Sequence, residues 1–187
     1  FKIKMYNSDG TETGACGNGS RCVASFLMNK NSLNSLTLET MSGDLKCFKS
    51  DSLVTVNMGK PKFKWTDIPL STDMDPQKVK LGNFDAFCLS MGNPHAVIFL
   101  ENLDELESLD LNAVGPKLEK HSLFPEFANI EFACVINDGS IRMRVWERGV
   151  GTTLACGSGA CATLVAASVL NKSPKENKII LDGGDLF

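Results

Sequence analysis

Residues 15–22 read ACGNGSRC and residues 155–161 read ACGSGAC. Each places a cysteine directly before Gly-x-Gly, and an apolar stretch follows each turn: VASFLMNK after the first, ATLVAASVLNK after the second. The pattern predicts a helix entered through a glycine turn, twice. A glycine turn used twice is architecture. A cysteine repeated at the same place in it points to chemistry performed by a pair.

The similarity extends outward from these turns. Shifted by 140 positions, KMYNSDGTETGACGNGS (4–20) lies on RVWERGVGTTLACGSGA (144–160) without a gap. Asn7 then faces Glu147, Ser8 faces Arg148 and Cys16 faces Cys156. Further on, LTLETMSGDL (36–45) matches IILDGGDL (179–186) with small gaps. Each copy reads strand, loop, Cys-Gly-x-Gly, helix, strand and Gly-Asp turn, so the internal repeat organises the chain. Partly alternating stretches such as IRMRVWE and SLVTVNM suit half-buried antiparallel strands. The first copy runs on into LKCFKSDSLVTVNMGKP, a predicted hairpin. Lobe boundaries of 1–75 and 76–187 follow, with a linker in the Pro-, Asp- and Lys-rich stretch 60–83. The first copy lacks the upstream residues that precede the second, and the second lacks the downstream hairpin of the first. A chain truncated at the start of one lobe and the end of the other is the expectation, poorly folded or inactive on its own.

Bulk properties narrow the function. The 187 residues, 43% hydrophobic and 22% charged, suffice for a buried core. A formal charge of −3 without a Lys/Arg cluster disfavours nucleic acid or an anionic membrane as partner. The apolar run 154–170 is shorter than the ~20 residues of a membrane span and reads as a buried core helix. The opening FKIKMYNSDG has no apolar segment of a signal peptide. Seven cysteines without a C-x-x-C pair, beside two histidines, fit neither a zinc site nor a disulfide framework, and point to a reducing cytoplasm. Cys22, Cys47, Cys88, Cys134 and Cys161 are expected in the core, and His121 on the surface.

A thiol at a helix entrance meets unpaired backbone N–H groups and the positive end of the helix dipole, a setting that favours thiolate. The same donors can hold a carboxylate or a developing oxyanion. Two such thiols facing one ligand suit a racemase or epimerase, in which one removes a proton from carbon and the other returns one to the opposite face. A thiol-based redox or interaction protein is the alternative from another class.

NSDGTETGACGNGSRC (7–22), GNPH (92–95) and WERGVGTTLACGSGACA (146–162), in this order and spacing, resemble the diaminopimelate epimerase family. The resemblance implies an α/β (α+β) fold of two pseudo-symmetric lobes. Each lobe would be a curled, mainly antiparallel sheet around a central helix, with the active site in the cleft between them. It implies a cofactor-independent isomerase acting on LL- and meso-diaminopimelate, on the route to lysine and peptidoglycan, and usually homodimeric. Cys16 and Cys156 would be the acid/base pair. Asn7, Asn93, Asn129, Glu147 and Arg148 would contact the substrate's amino and carboxylate groups. Gly17, Asn18, Gly157 and Ser158 would offer helix-start donors, and His95 with Glu147 would tune a cysteine. These residue types suit a zwitterion with two amino-acid ends: amides donate and accept, a carboxylate takes an ammonium, a guanidinium clamps a carboxylate. Proline or hydroxyproline racemases share the two-cysteine logic and remain the nearest enzymatic alternative, although such relatives typically carry His where Asn18 stands.

Overall fold

A computed structural model of the chain describes residues 1–187 apart from 7–9, 11, 14, 15, 42, 52 and 138. Asn7, one of the expected substrate contacts, lies outside the described residues. The chain divides into two compact units, Phe1–Lys60 and Pro61–Phe187. The division falls at the start of the 60–83 stretch, because residues 61–75 belong to the second unit's packing. Lys62 and Ser90 exchange backbone hydrogen bonds of 2.9 Å, and Ile68 and Leu70 are buried in the second core.

The first unit opens with a short antiparallel pair, β1 (Met5–Tyr6) and β2 (Glu12–Thr13). Helix α1 (Gly17–Asn31) follows, then an antiparallel three-stranded sheet of β3 (Ser35–Thr40), β4 (Gly43–Ser50) and β5 (Leu53–Val56). The β4–β5 pair is the hairpin expected from the sequence. Helix α1 buries Ser20, Ala24 and Met28, one residue per turn. Ala24 and Met28 close over Leu38, Leu45 and Cys47 of the sheet.

The second unit is built on an eight-stranded mixed sheet. In chain order its elements are β6 (Val79–Leu81), β7 (Phe84–Ser90), β8 (Pro94–Phe99), α2 (Leu103–Ser108), α3 (Leu111–Glu119), β9 (Asn129–Val135), β10 (Ile141–Glu147), β11 (Gly151–Thr153), α4 (Gly157–Val169), β12 (Ile179–Leu181) and β13 (Gly184–Leu186). The spatial order is β13-β12-β10-β9-β8-β7-β6, with β11 pairing onto β10. Five of the pairings are antiparallel, while β8–β9 and β10–β12 are parallel. The mainly antiparallel expectation therefore holds, with two parallel joins that follow the crossovers through α2–α3 and α4.

Strand alternation sorts the second unit into two layers. Ile130, Phe132 and Cys134 of β9 join the core that includes Leu106 of α2 and Leu111 and Leu118 of α3. Ala133 of β9 joins Ile141, Met143 and Val145 of β10 on the side of Cys156, Ala160 and Ala167. Glu131 shares the parity of Ala133, so it belongs to the face that α4 covers. Helix α4, apolar around much of its circumference, is the buried core helix read from residues 154–170, and no helix among the described residues is long and apolar enough to cross a membrane.

Candidate active site

The two cysteine turns fold alike. Cys16 is the N-cap of α1 and Cys156 the N-cap of α4, both with extended backbone. Each thiol sulfur accepts the backbone N–H three residues on: Gly19 to Cys16 at 3.3 Å and Gly159 to Cys156 at 3.4 Å. The cysteine carbonyls accept from Ser20 and Ala160 at 2.8 and 2.9 Å, starting the helix ladders. A thiol thus takes the place that Ser or Asp usually holds at an N-cap. Gly157 and Ser158 lie in the first turn of α4, and Gly17 and Asn18 hold the matching positions on α1, where backbone N–H groups point out of the helix. The Asn18 side chain accepts from the Arg21 guanidinium at 2.6 Å.

Beyond the turn itself the two environments differ. Cys16 is exposed, whereas Cys156 is buried. Burial pushes the Cys156 thiol well above the ordinary range, and the nearby Glu147 carboxylate pushes it further. The Ser158 hydroxyl and the Gly159 N–H pull the other way and do not prevail. For Cys156 the thiolate expected from the helix start is therefore corrected to a thiol, because desolvation and the Glu147 carboxylate outweigh one turn of helix dipole.

A chain of polar side chains runs behind Cys156. Ser158 Oγ stands 3.6 Å from its sulfur, and Asn93 Nδ2 donates to that hydroxyl at 3.4 Å. Asn93 Oδ1 faces Nε2 of His95 at 2.9 Å, and Nδ1 of His95 faces Glu131 Oε1 at 2.7 Å. His95 and Glu131 are both fully buried. His95 thus pairs with Glu131, while Glu147, the other residue expected to tune a cysteine, acts on Cys156 by its charge. Glu147 also accepts from the Thr153 hydroxyl on β11.

Asn129 is buried and bonded to two backbone segments. Its Oδ1 accepts from the Arg148 N–H and its Nδ2 donates to the Pro94 carbonyl, both at 2.9 Å. It therefore joins the Asn-Pro-His segment to the Glu-Arg turn. The Arg148 guanidinium, half-buried, reaches the Glu126 carbonyl at 3.3 Å. That turn has a second anchor. Buried Glu119, at the end of α3, accepts from the Trp146 indole at 2.7 Å and from the Gly149 N–H at 2.8 Å. Gly149 has φ +73°, which a residue without Cβ adopts readily.

The structure thus brings Asn93, His95, Asn129, Glu147, Arg148, Gly157 and Ser158 to the same end of the second sheet as Cys156. Two members were missed from sequence. Glu131 had a readable signal, a lone carboxylate inside the apolar strand NIEFACV, where a charge survives only with a partner. Glu119, in LEK at a helix end, had none. Among the other cysteines, Cys47, Cys88 and Cys134 are buried as expected and Cys161 is partly so. Cys22 is exposed, a correction that follows from the core stripe of α1 passing through Ser20, Ala24 and Met28.

The fold recurs in solved structures of low sequence identity. The chain is similar to a solved probable proline racemase from Agrobacterium radiobacter K84, with a TM-score of 0.64, 16% identity and coverage of 98% of this chain and 61% of that one. It is similar also to a phenazine biosynthesis protein from Bacillus anthracis, with a TM-score of 0.67, 17% identity and coverage of 98% and 70%. The chain belongs to the diaminopimelate epimerase family, whose model matches residues 1–64 and 87–187. It is 49% identical over 189 residues to a diaminopimelate epimerase of Rhodospirillum centenum, covering 99% of this chain and 64% of the relative. A diaminopimelate epimerase of Afipia carboxidovorans is 47% identical over 195 residues, covering 98% and 66%. The chain spans about two thirds of the length of these curated relatives.

Proposed function

We propose that this protein interconverts LL- and meso-diaminopimelate by cofactor-independent acid/base catalysis between Cys16 and Cys156. The observation that carries the reading is the cysteine N-cap built twice, in matching backbone geometry, within a chain of this family. In the reaction one sulfur, as thiolate, takes the α-proton and becomes a thiol. The opposed thiol gives its proton to the other face of the carbon and becomes a thiolate, so the product leaves with inverted configuration and the pair with exchanged roles. In the resting enzyme Cys156 is the proton donor, since burial and the Glu147 carboxylate favour its thiol form. Negative charge developing on the α-carboxylate is met by N–H groups at the helix starts, those of Gly17 and Asn18 and those of Gly157 and Ser158.

Asn7, Asn93, Asn129, Glu147 and Arg148 contact the amino and carboxylate groups of the substrate in this reading. Asn129, whose amide already bonds Pro94 and Arg148, also holds the two contributing segments together. A polar amino-acid substrate, a cytoplasmic setting and a homodimer complete the proposal.

The test is α-hydrogen exchange in D₂O, followed by NMR on the reduced protein expressed from its complete gene, with LL-diaminopimelate and separately with L-proline. Exchange of diaminopimelate alone, abolished by Cys16→Ala and by Cys156→Ala, is expected. Exchange of proline would move the protein to the racemases, and silence with both would sink the two-thiol reading.

A further inference from the structure

Glu131 is fully buried in the middle of β9, and its Oε2 has no hydrogen-bond partner among the described residues. Its Oε1 lies 2.7 Å from Nδ1 of His95. It also sits so close to the first turn of α4 that a Cβ added to Gly159 would stand 2.8 Å from it. The far nitrogen of His95 meets Asn93 Oδ1, an acceptor, because the amide nitrogen of Asn93 is turned toward Ser158. Nε2 must then carry a hydrogen. At 2.7 Å the Nδ1–Oε1 contact needs a hydrogen too, since two lone pairs would repel there.

That hydrogen belongs to either the imidazole or the carboxyl. An imidazolium facing a carboxylate would leave Oε2 as a charged oxygen buried without a partner, the most costly way to bury a carboxyl group. A neutral acid leaves it as an ordinary carbonyl oxygen. We propose that Glu131 stands as an uncharged carboxylic acid whose O–H donates to His95 Nδ1, and that this proton fixes the orientation of the Asn93 amide beside Cys156. The donors then run in one direction: Glu131 to His95, His95 to Asn93, Asn93 to Ser158. The chain ends 3.6 Å from the sulfur that exchanges protons with substrate.

The charged and titratable neighbours agree with a neutral group. Toward Glu131 come His95 from β8, Cys88 from β7, Glu147 from β10 and Cys156 from the start of α4. Burial favours the protonated carboxyl, and Glu147 adds to that effect; only His95 among these side chains opposes it. The inference rests on the acid/base role proposed for Cys156, and Glu131 acts in it as a positioning residue.

Two substitutions of similar bulk separate a donor from a charge. Glu131→Gln keeps an N–H that can donate to Nδ1, whereas Glu131→Leu keeps neither donor nor charge. Glu131→Gln is expected to hold kcat for α-hydrogen exchange within about threefold of wild type, while Glu131→Leu loses roughly 10- to 100-fold in kcat with a much smaller change in KM. Infrared difference spectra between wild type and Glu131→Gln at neutral pH should contain the carbonyl stretch of a protonated carboxylic acid. The ¹⁵N shifts of His95 in the unmutated protein should show Nε2 protonated and Nδ1 bare, a readout that needs no variant to fold. Loss of activity in Glu131→Gln as deep as in Glu131→Leu, a carboxylate band in place of the acid band, or a doubly protonated His95 would each overturn the proposal. The spectroscopic arms stand whether or not diaminopimelate is the substrate. Failure of the function itself would show separately, as absent exchange in the unmutated enzyme.

Discussion

Gly115→Ala tests the packing that supports the Glu147–Arg148 turn, and it does so through the sign of the effect. Gly115 lies within α3, where alanine ordinarily stabilises a helix by about 1 kcal/mol over glycine. Here a Cβ would fall 2.4, 2.5 and 2.7 Å from three carbons of the Trp146 ring. Carbon contacts are comfortable at about 3.5–4.0 Å, so ring and helix would have to part by roughly an ångström or more. The indole is not free to move, since its N–H donates to buried Glu119 at 2.7 Å. Overpacking costs about 1–3 kcal/mol and loss of a hydrogen bond to a charged group about 1.5–3 kcal/mol. With the helix-propensity gain subtracted, the net loss centres on about 3 kcal/mol, or roughly 6–12 °C in Tm for a chain of this size. Urea unfolding followed by fluorescence reads it, since both tryptophans, Trp65 and Trp146, lie in the second unit. Stability equal to wild type, or higher, would refute the claim that Trp146 is locked between Gly115 and Glu119.

Gly159→Ala would place a methyl 2.8 Å from the Glu131 carboxyl and 3.2 Å from the Cys156 sulfur, so α-hydrogen exchange should fall at least tenfold, a loss of about 1.4 kcal/mol in transition-state stabilisation, measured as kcat/KM. Burial raises the Cys88 thiol above its ordinary range, so the folded state keeps a proton that the unfolded chain releases in alkali. Stability should be flat with pH below the ordinary thiol range and decline as pH rises through it, and urea midpoints should decline less steeply in Cys88→Ala. Arg142 binds Glu107, Asp182 and the carbonyls of Met143 and Ile180, so Arg142→Met should cost about 2 kcal/mol in urea unfolding. Glu119→Gln keeps the acceptor for one of its two N–H partners but leaves an amide hydrogen facing the other, and should lose about 1.5–3 kcal/mol together with part of the exchange activity.

What was legible in the sequence was local or periodic. The helix starts at 17 and 157 follow from glycines behind a capping residue, and the 43–56 hairpin from alternation on both sides of a turn. The partners of those elements were not legible, because pairing across a sheet depends on where distant strands arrive. β8 runs parallel to β9, which sets His95 in register with Asn129 and brings its ring to Glu131; no local pattern in either strand states that. Residues 61–75 resemble a linker in composition, yet Ile68 and Leu70 are held in the second core, so Pro and Lys content misplaced the boundary by about fifteen residues. The electrostatic error at Cys156 has the same origin. The helix start was visible in the motif, while the desolvation and the Glu147 carboxylate that reverse its effect come from elsewhere in the fold.

The repeat therefore builds two thiols that match in backbone and differ in surroundings. At 16 and at 156 the same turn offers the sulfur one N–H, at 3.3 and 3.4 Å. That shared contact cannot distinguish the two sites. The difference lies in what stands behind the second turn: a buried acid on β9, a histidine on β8 and a carboxylate on β10. The proposed reaction gains from such a difference, because it needs one sulfur protonated and the other able to accept a proton at rest. Glu131 and His95 belong to that difference, and the contrast between Glu131→Gln and Glu131→Leu measures what they contribute.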